Sequence, residues 1–263
     1  MEAFLAYLLC GTVAGVLAGL LGVGGGLVIV PVLSVLFAMQ GFASDVMVHV
    51  AVGTSLATIV FTSLSSVRAH HKRRAVLWPV VWQLVPGIVI GALLGAAVAN
   101  AMPTNILRTF FAVFEVLVAI QMFLSLRPQA ERDLPARWGM SLAGSSIGLI
   151  SSIVGIGGGT LTVPFLVWCR VTVHQAIGTS SACGLPIALG GTIGFIVMGW
   201  ENPVLPASSS GYVYWPAWVG IVTASVVAAP AGASLAHRLP AKSLKKIFAI
   251  FLLVLAAIML LAK

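Results

Sequence analysis

Charge is what this chain has least of. Only 8% of its residues are Asp, Glu, Lys or Arg, and only six of those are acids. An ordinary soluble domain carries about 25% charged residues, so a water-soluble fold is excluded. Cysteine is nearly as scarce. Cys10, Cys169 and Cys183 are odd in number and show no CxxC or Cys/His spacing, which excludes a disulfide framework and a structural metal site. They read as small hydrophobes. Also missing are HExxH, a GxSxG in a strand–turn–helix setting, and the Lys-Ser/Thr that a phosphate-binding loop needs after its glycines. No catalytic residue, no metal ligand and no cofactor is therefore expected. The net charge of +8 comes from short basic clusters between apolar runs, the pattern of cytoplasmic loops rather than of a nucleic-acid surface. No basic n-region precedes the first apolar run, which is expected to be a membrane segment rather than a cleaved signal.

What the chain has is apolar length. It is 60% hydrophobic with mean hydropathy +1.10. Runs this long do not fit the ten-residue alternation of a membrane barrel, so the fold class is an all-α integral membrane protein. Apolar runs cover about 3–22, 46–67, 75–99, 105–126, 138–154, 175–198, 212–236 and 244–261. Two shorter pieces, ending near Met39 and Trp168, follow the glycine clusters Gly22–Gly26 and Gly155–Gly159. Each is shorter than the roughly 20 residues a spanning helix needs.

The sequence repeats itself. At an offset of 133 residues, Gly11, Gly15, Gly22, Gly24 to Gly26 and Pro31 match Gly144, Gly148, Gly155, Gly157 to Gly159 and Pro164. His49-x-Ala-x-Gly53-Thr54-Ser55 returns as His174-x-Ala-x-Gly178-Thr179-Ser180, and Trp78-Pro79 as Trp215-Pro216. So many ordered matches indicate a duplication. The expected division is residues 1–127, a cytoplasmic linker at 128–137, and residues 138–263. The basic loops at 68–74 and 238–246 and the linker belong in the cytoplasm, whereas the uncharged 100–104, the repeat partner of 238–246, falls outside. Corresponding loops on opposite faces mean inverted halves. Inversion requires an odd number of segments per half; counting each glycine-broken run as two gives five, namely a broken hairpin plus three spanning helices. Inverted repeats with broken helices around a midplane site are a common transporter plan.

Clustered glycines are costly in a helix, about 1 kcal/mol each against Ala, and broken backbone in lipid is tolerated only when buried or lining a cavity. Gly24, Gly25, Gly26 and Gly157, Gly158, Gly159 are therefore candidate substrate-binding residues. A helix restarting after Gly26 or Gly159 offers unpaired N–H groups and its positive dipole end to an anion. Gly11 and Gly15 have the spacing of tight helix crossing. Gly53, Thr54, Ser55 and Gly178, Thr179, Ser180 form a second candidate group, whose hydroxyls either donate to a ligand or bond back to their own helices. His49 and His174 open equivalent spans, as proton relays or as polar caps. Glu115 is the one acid deep in an apolar run. It is a proton-coupling candidate, or a polar contact with a neighbouring helix, and its repeat position holds Leu252.

At this point the residues resemble a family. Gly15-x3-Gly19-x2-Gly22-x-Gly24-Gly25-Gly26-x4-Pro31, Gly53-Thr54-Ser55 and their second copies are similar to the TauE/SafE sulfite-exporter family over nearly the whole chain. One departure is Ser152, where the first copy has Gly19. The resemblance implies a multi-pass protein of the bacterial inner membrane that moves sulfite, thiosulfate, sulfoacetate or an organosulfonate. The expected function is a secondary transporter of a small anion working by alternating access. An anion channel and a non-transporting membrane subunit are the alternatives. Expected partners are a small anionic solute and membrane lipid, with no nucleic acid; a homodimer is an admissible assembly.

Overall fold

The computed structural model describes residues 2–21, 25–124, 132–236 and 241–261. Among them are ten helices, five before and five after residue 131. They are α1 (Glu2–Leu21), α2 (Gly26–Met39), α3 (Met47–Lys72), α4 (Trp78–Ala101), α5 (Thr104–Phe123), α6 (Arg137–Val154), α7 (Gly159–Trp168), α8 (Val173–Gly199), α9 (Trp215–Ala236) and α10 (Ala241–Leu261). They follow the apolar runs closely because glycine, proline and basic loops punctuate those runs. Between α8 and α9, Ser209–Ser210 (β1) and Val213–Tyr214 (β2) pair antiparallel, with Gly211 at φ +53 turning the chain. Its second strand takes the first residues of the apolar run 212–236, so α9 starts only at Trp215.

Four helices among the described residues, α3, α4, α5 and α8, are long and apolar enough to cross a membrane. By contrast, α2 and α7 have 14 and 10 residues. At 1.5 Å per residue they extend about 21 and 15 Å, short of a hydrocarbon core of about 30 Å. The outer helices turn apolar side chains outward. Ile106, Phe110, Val113, Leu117 and Ile120 of α5 are exposed, as are Ile250, Leu253, Val254 and Ile258 of α10. All seven Trp sit within five residues of a helix end, where amphipathic rings meet the membrane–water boundary.

The two halves interleave rather than pack as separate units. α1 lies along α9 in parallel, with Tyr7 at Gly220, Gly11 at Ile221 and Gly15 at Ser225. α4 lies along α6 in the same sense, with Gly87 at Ser141, Gly91 at Ser145 and Gly95 at Leu149. Exchanging the halves converts one pair into the other. The glycines let the backbones touch, so the tight-crossing reading of Gly11 and Gly15 holds. The centre is α3 against α8, and these two run antiparallel: Leu56 faces Gly191, Ser63 faces Gly184, and Ser66 donates to Ser181 at 3.2 Å. Lys246 of α10 lies over the ring of Phe123 at the far end of α5, an antiparallel arrangement there too.

Candidate functional site

Both glycine breaks are built by the backbone. α6 ends because Gly155 turns left-handed (φ 73, ψ 34), a conformation only glycine adopts cheaply. The amide of Gly155 donates to Ser152 O at 3.3 Å and that of Ile156 to Ser151 O at 3.0 Å, closing the last turn in the usual glycine-terminated way. Two residues later α7 begins, with Gly158 at its N-cap and no side chain capping it. The first break follows the same plan where it is described. Gly25 caps α2, again without a side-chain cap. Gly24, a candidate from the sequence, lies outside the described residues, as do Gly22 and Val23.

The two breaks meet in the buried interior. A methyl carbon on Gly26 would overlap the carbonyl oxygen of Gly155 and sit 2.9 Å from Ile156 Cα. Ser55 of α3 donates to the same carbonyl at 2.9 Å. Ile59 of α3 reaches both breaks, its methyl carbons 3.2 and 3.5 Å from where a Cβ would stand on Gly26 and Gly157. Gly158 packs on α8, 2.9 Å from Ser180 O and 3.2 Å from Gly184 N measured from the same construction. Ile59 and Gly184 lie near the midpoints of α3 and α8. The structure thus brings Gly26, Ser55, Gly157, Gly158 and Ser180 together, with Gly159 one residue on at the start of α7. Gly25 faces Ala14 of α1 instead.

The Gly-Thr pairs do a different job. Gly53 is pressed against the carbonyl of Tyr212, and Thr54 Oγ1 accepts the amide hydrogen of Tyr214 at 3.0 Å. Gly178 is pressed against the carbonyl of Ala75, and Thr179 Oγ1 accepts the amide hydrogen of Leu77 at 3.0 Å. Each pair docks the segment that leads into a helix of the other half, α9 or α4. The serines diverge, because Ser180 bonds back to Ile177 O at 2.9 Å while Ser55 reaches the second break.

The titratable candidates lie apart from the breaks. His49 is buried and its Nε2 lies 2.9 Å from Ala99 O and 3.2 Å from Met102 O, at the end of α4. Its equivalent, His174, is exposed at the start of α8. Glu115 is fully buried on α5, with no hydrogen-bond partner for either carboxylate oxygen. Among the described residues no three His, Cys, Asp or Glu side chains cluster as a metal site would.

Hydroxyls that the sequence did not offer as ligands also surround the second break. Ser151 and Ser152 end α6, Thr160 and Thr162 open α7, and all four are buried with hydroxyls that have no protein partner. Other membrane hydroxyls, such as those of Ser34, Thr58 and Thr223, bond back to their own helices. The offset that reveals the repeat could have exposed them, since their equivalents are Ala18, Gly19, Leu27 and Ile29.

The family model described as "Sulfite exporter TauE/SafE" matches residues 7–259. The chain belongs to the TauE/SafE family. A protein of Haemophilus influenzae named "Probable membrane transporter protein" is 40% identical over 250 residues, covering 95% of each chain. A relative of the same description from Methanocaldococcus jannaschii is 28% identical, covering 85% of this chain and 80% of its own. One from Bacillus subtilis is 26% identical, covering 96% and 95%. A TauE/SafE protein with these relatives and these apolar helices is a multi-pass membrane transporter.

Proposed function

We propose that this TauE/SafE protein is a secondary transporter of a small sulfur-containing oxyanion, such as sulfite, thiosulfate or sulfoacetate, in the bacterial inner membrane. Its halves are inverted repeats spanning 1–127 and 138–263, joined by a cytoplasmic linker, and access alternates between the two faces. The meeting of the two glycine breaks carries this reading. Two interrupted helices converge halfway along α3 and α8, in the buried interior, and their N-terminal amides, uncapped by side chains, are suited to an anion. Support for inversion comes from α3 and α8, which are repeat equivalents and run antiparallel.

The glycines at 25, 26 and 157–159 provide close backbone approach, and Ser55 braces the second break through the carbonyl of Gly155. Thr54 and Thr179 lie near opposite ends of the antiparallel pair. They act as two latches, one holding the entry to α9 and one the entry to α4. Opening one while the other stays shut is the rocking motion that alternating access needs. Binding without a fixed cation at the breaks suits an ion that must also leave.

Calorimetric titration of purified protein with sulfite, thiosulfate and sulfoacetate tests the reading, followed by counterflow in liposomes. Saturable binding of one of them and exchange against unlabelled anion is the expected result. Current or flux that grows with the gradient without saturating would make the protein a channel instead. Absence of any binding would overturn the anion reading.

A further inference from the structure

Glu115 stands near the middle of α5, 0% exposed, and neither of its carboxylate oxygens has a hydrogen-bond partner. On α5 it shares a buried stripe with Leu107, Phe111, Ala112, Val118 and Ala119. That helix packs mainly on α10, whose buried side chains from Phe248 to Met259 are all apolar. Lighter contacts come from α3 and α6. The titratable residues of these three helices stand at helix ends: His49, Arg68 and His70 to Lys72 on α3, Arg137 on α6, and Lys242, Lys245 and Lys246 on α10. Lys246 lies over Phe123 and His49 lies against Thr104, each at an end of α5, and Arg108 of α5 itself is seven residues from Glu115. All three positions are about 10 Å or more from Glu115 along the helix axis. An ionised carboxylate is not kept in such a place without donors or a counter-charge. In this arrangement the side chain is therefore the neutral acid. Packing alone does not call for an acid here, since the repeat equivalent, Leu252, is just as buried.

The start of α5 is tied to one of the two latches. Thr104 Oγ1 donates to Asp45 O and lies 3.4 Å from His49 Nδ1. His49 is one turn before Gly53 on α3, and its ring lies against that of Tyr212, with centroids 5.3 Å apart. Gly53 and Thr54 hold the segment from Tyr212 to Tyr214. The same helix α3 carries Ser55 and Ile59 to the glycine breaks. One helix thus connects the latch, the breaks and the helix that bears Glu115.

We propose that Glu115 is the binding site of the coupling ion, a proton, and that the protein moves its anion together with that proton. The proposal rests on the anion-transporter reading and adds the driving ion to it. With the latch shut, Glu115 is the carboxylic acid. When the latch opens and α5 shifts with it, the carboxyl meets water and dissociates to carboxylate and a released proton. An ionised Glu115 and a bound anion repel each other in one low-dielectric interior. Anion binding therefore favours the protonated acid, and by linkage the protonated acid favours the anion. Proton and anion load together and leave together.

The test compares wild type with Glu115→Gln, which keeps the shape and is neutral at every pH, in liposomes loaded with thiosulfate or sulfoacetate. Wild type should accumulate labelled anion several-fold when the side of entry is made acidic. Glu115→Gln should exchange labelled for unlabelled anion as fast as wild type but accumulate none under the same gradient. Calorimetric titration in two buffers of different ionisation heat should show about one proton taken up per anion bound by wild type, and none by the variant. If Glu115→Gln does not fold, Glu115→Leu, the side chain found at the repeat position, takes its place with the same expectations. Gradient-driven accumulation by the folded variant, or wild-type exchange that ignores the gradient, would overturn the proton site while leaving anion transport standing. Loss of exchange together with accumulation in a folded variant would also overturn it, by assigning Glu115 to the path of the anion. Neither exchange nor accumulation by wild type would remove both readings.

Discussion

The two glycine breaks share a backbone plan and differ in what surrounds them. At the second, α6 ends in a left-handed glycine, α7 starts uncapped, and the buried hydroxyls of Ser151, Ser152, Thr160 and Thr162 have no protein partner. At the first, described from Gly25 onward, Leu27 and Ile29 take the places of the threonines and both are 1% exposed. The comparison teaches that duplication supplies the geometry twice while the chemistry need be kept once. The first break is then an apolar wall beside the polar second one. Contact between Gly26 and the carbonyl of Gly155 joins the two roles.

The hardest way to break that relationship is Gly26→Ala. Its methyl would fall on a backbone carbonyl, which cannot rotate aside, and overpacking of this kind costs up to about 3 kcal/mol. A clearly lowered melting midpoint in detergent and lost anion uptake are expected; wild-type behaviour in both would mean the breaks do not touch in solution. Next come Thr54→Val and Thr179→Val. Each strands an amide, that of Tyr214 or Leu77, at a cost of about 2 kcal/mol. The two should behave alike in thermal unfolding and slow transport more than they weaken binding, and a large difference between them would mean the latches are not equivalent.

The histidines sharpen the comparison further. His49→Ala removes a group bonded to the end of α4 and should cost about 1 kcal/mol, whereas His174→Ala, at an exposed position, should leave stability unchanged. Equal effects on unfolding would contradict the assigned contacts. Gly157→Ala should change stability least, because its methyl would meet only Ile59 at 3.5 Å. It nonetheless intrudes near the proposed ligand, so unfolding and titration should part company for this variant.

Much of the fold was legible before any coordinates. Ten helical segments follow from apolar runs cut by glycines, prolines and basic loops, and the repeat follows from glycines at one offset. What the sequence could not supply was which hydroxyls are already committed. Ser55 and Ser180 look identical in their motifs, yet one bonds a carbonyl 100 residues away and the other its own helix. Thr54 looks like a ligand donor, but its oxygen accepts an amide hydrogen from a segment 160 residues on. Such commitments depend on tertiary pairing, here the antiparallel crossing of α3 and α8. Thr160 and Thr162 were passed over because lone hydroxyls in apolar runs ordinarily bond to their own helices.

The most direct measurement is anomalous diffraction from crystals grown with selenite, which has the shape of sulfite and a strong selenium signal. The account predicts a peak where the two breaks meet, close to Gly26, Gly157 and Gly158. Peaks confined to the basic loops, or no peak at all, would contradict it.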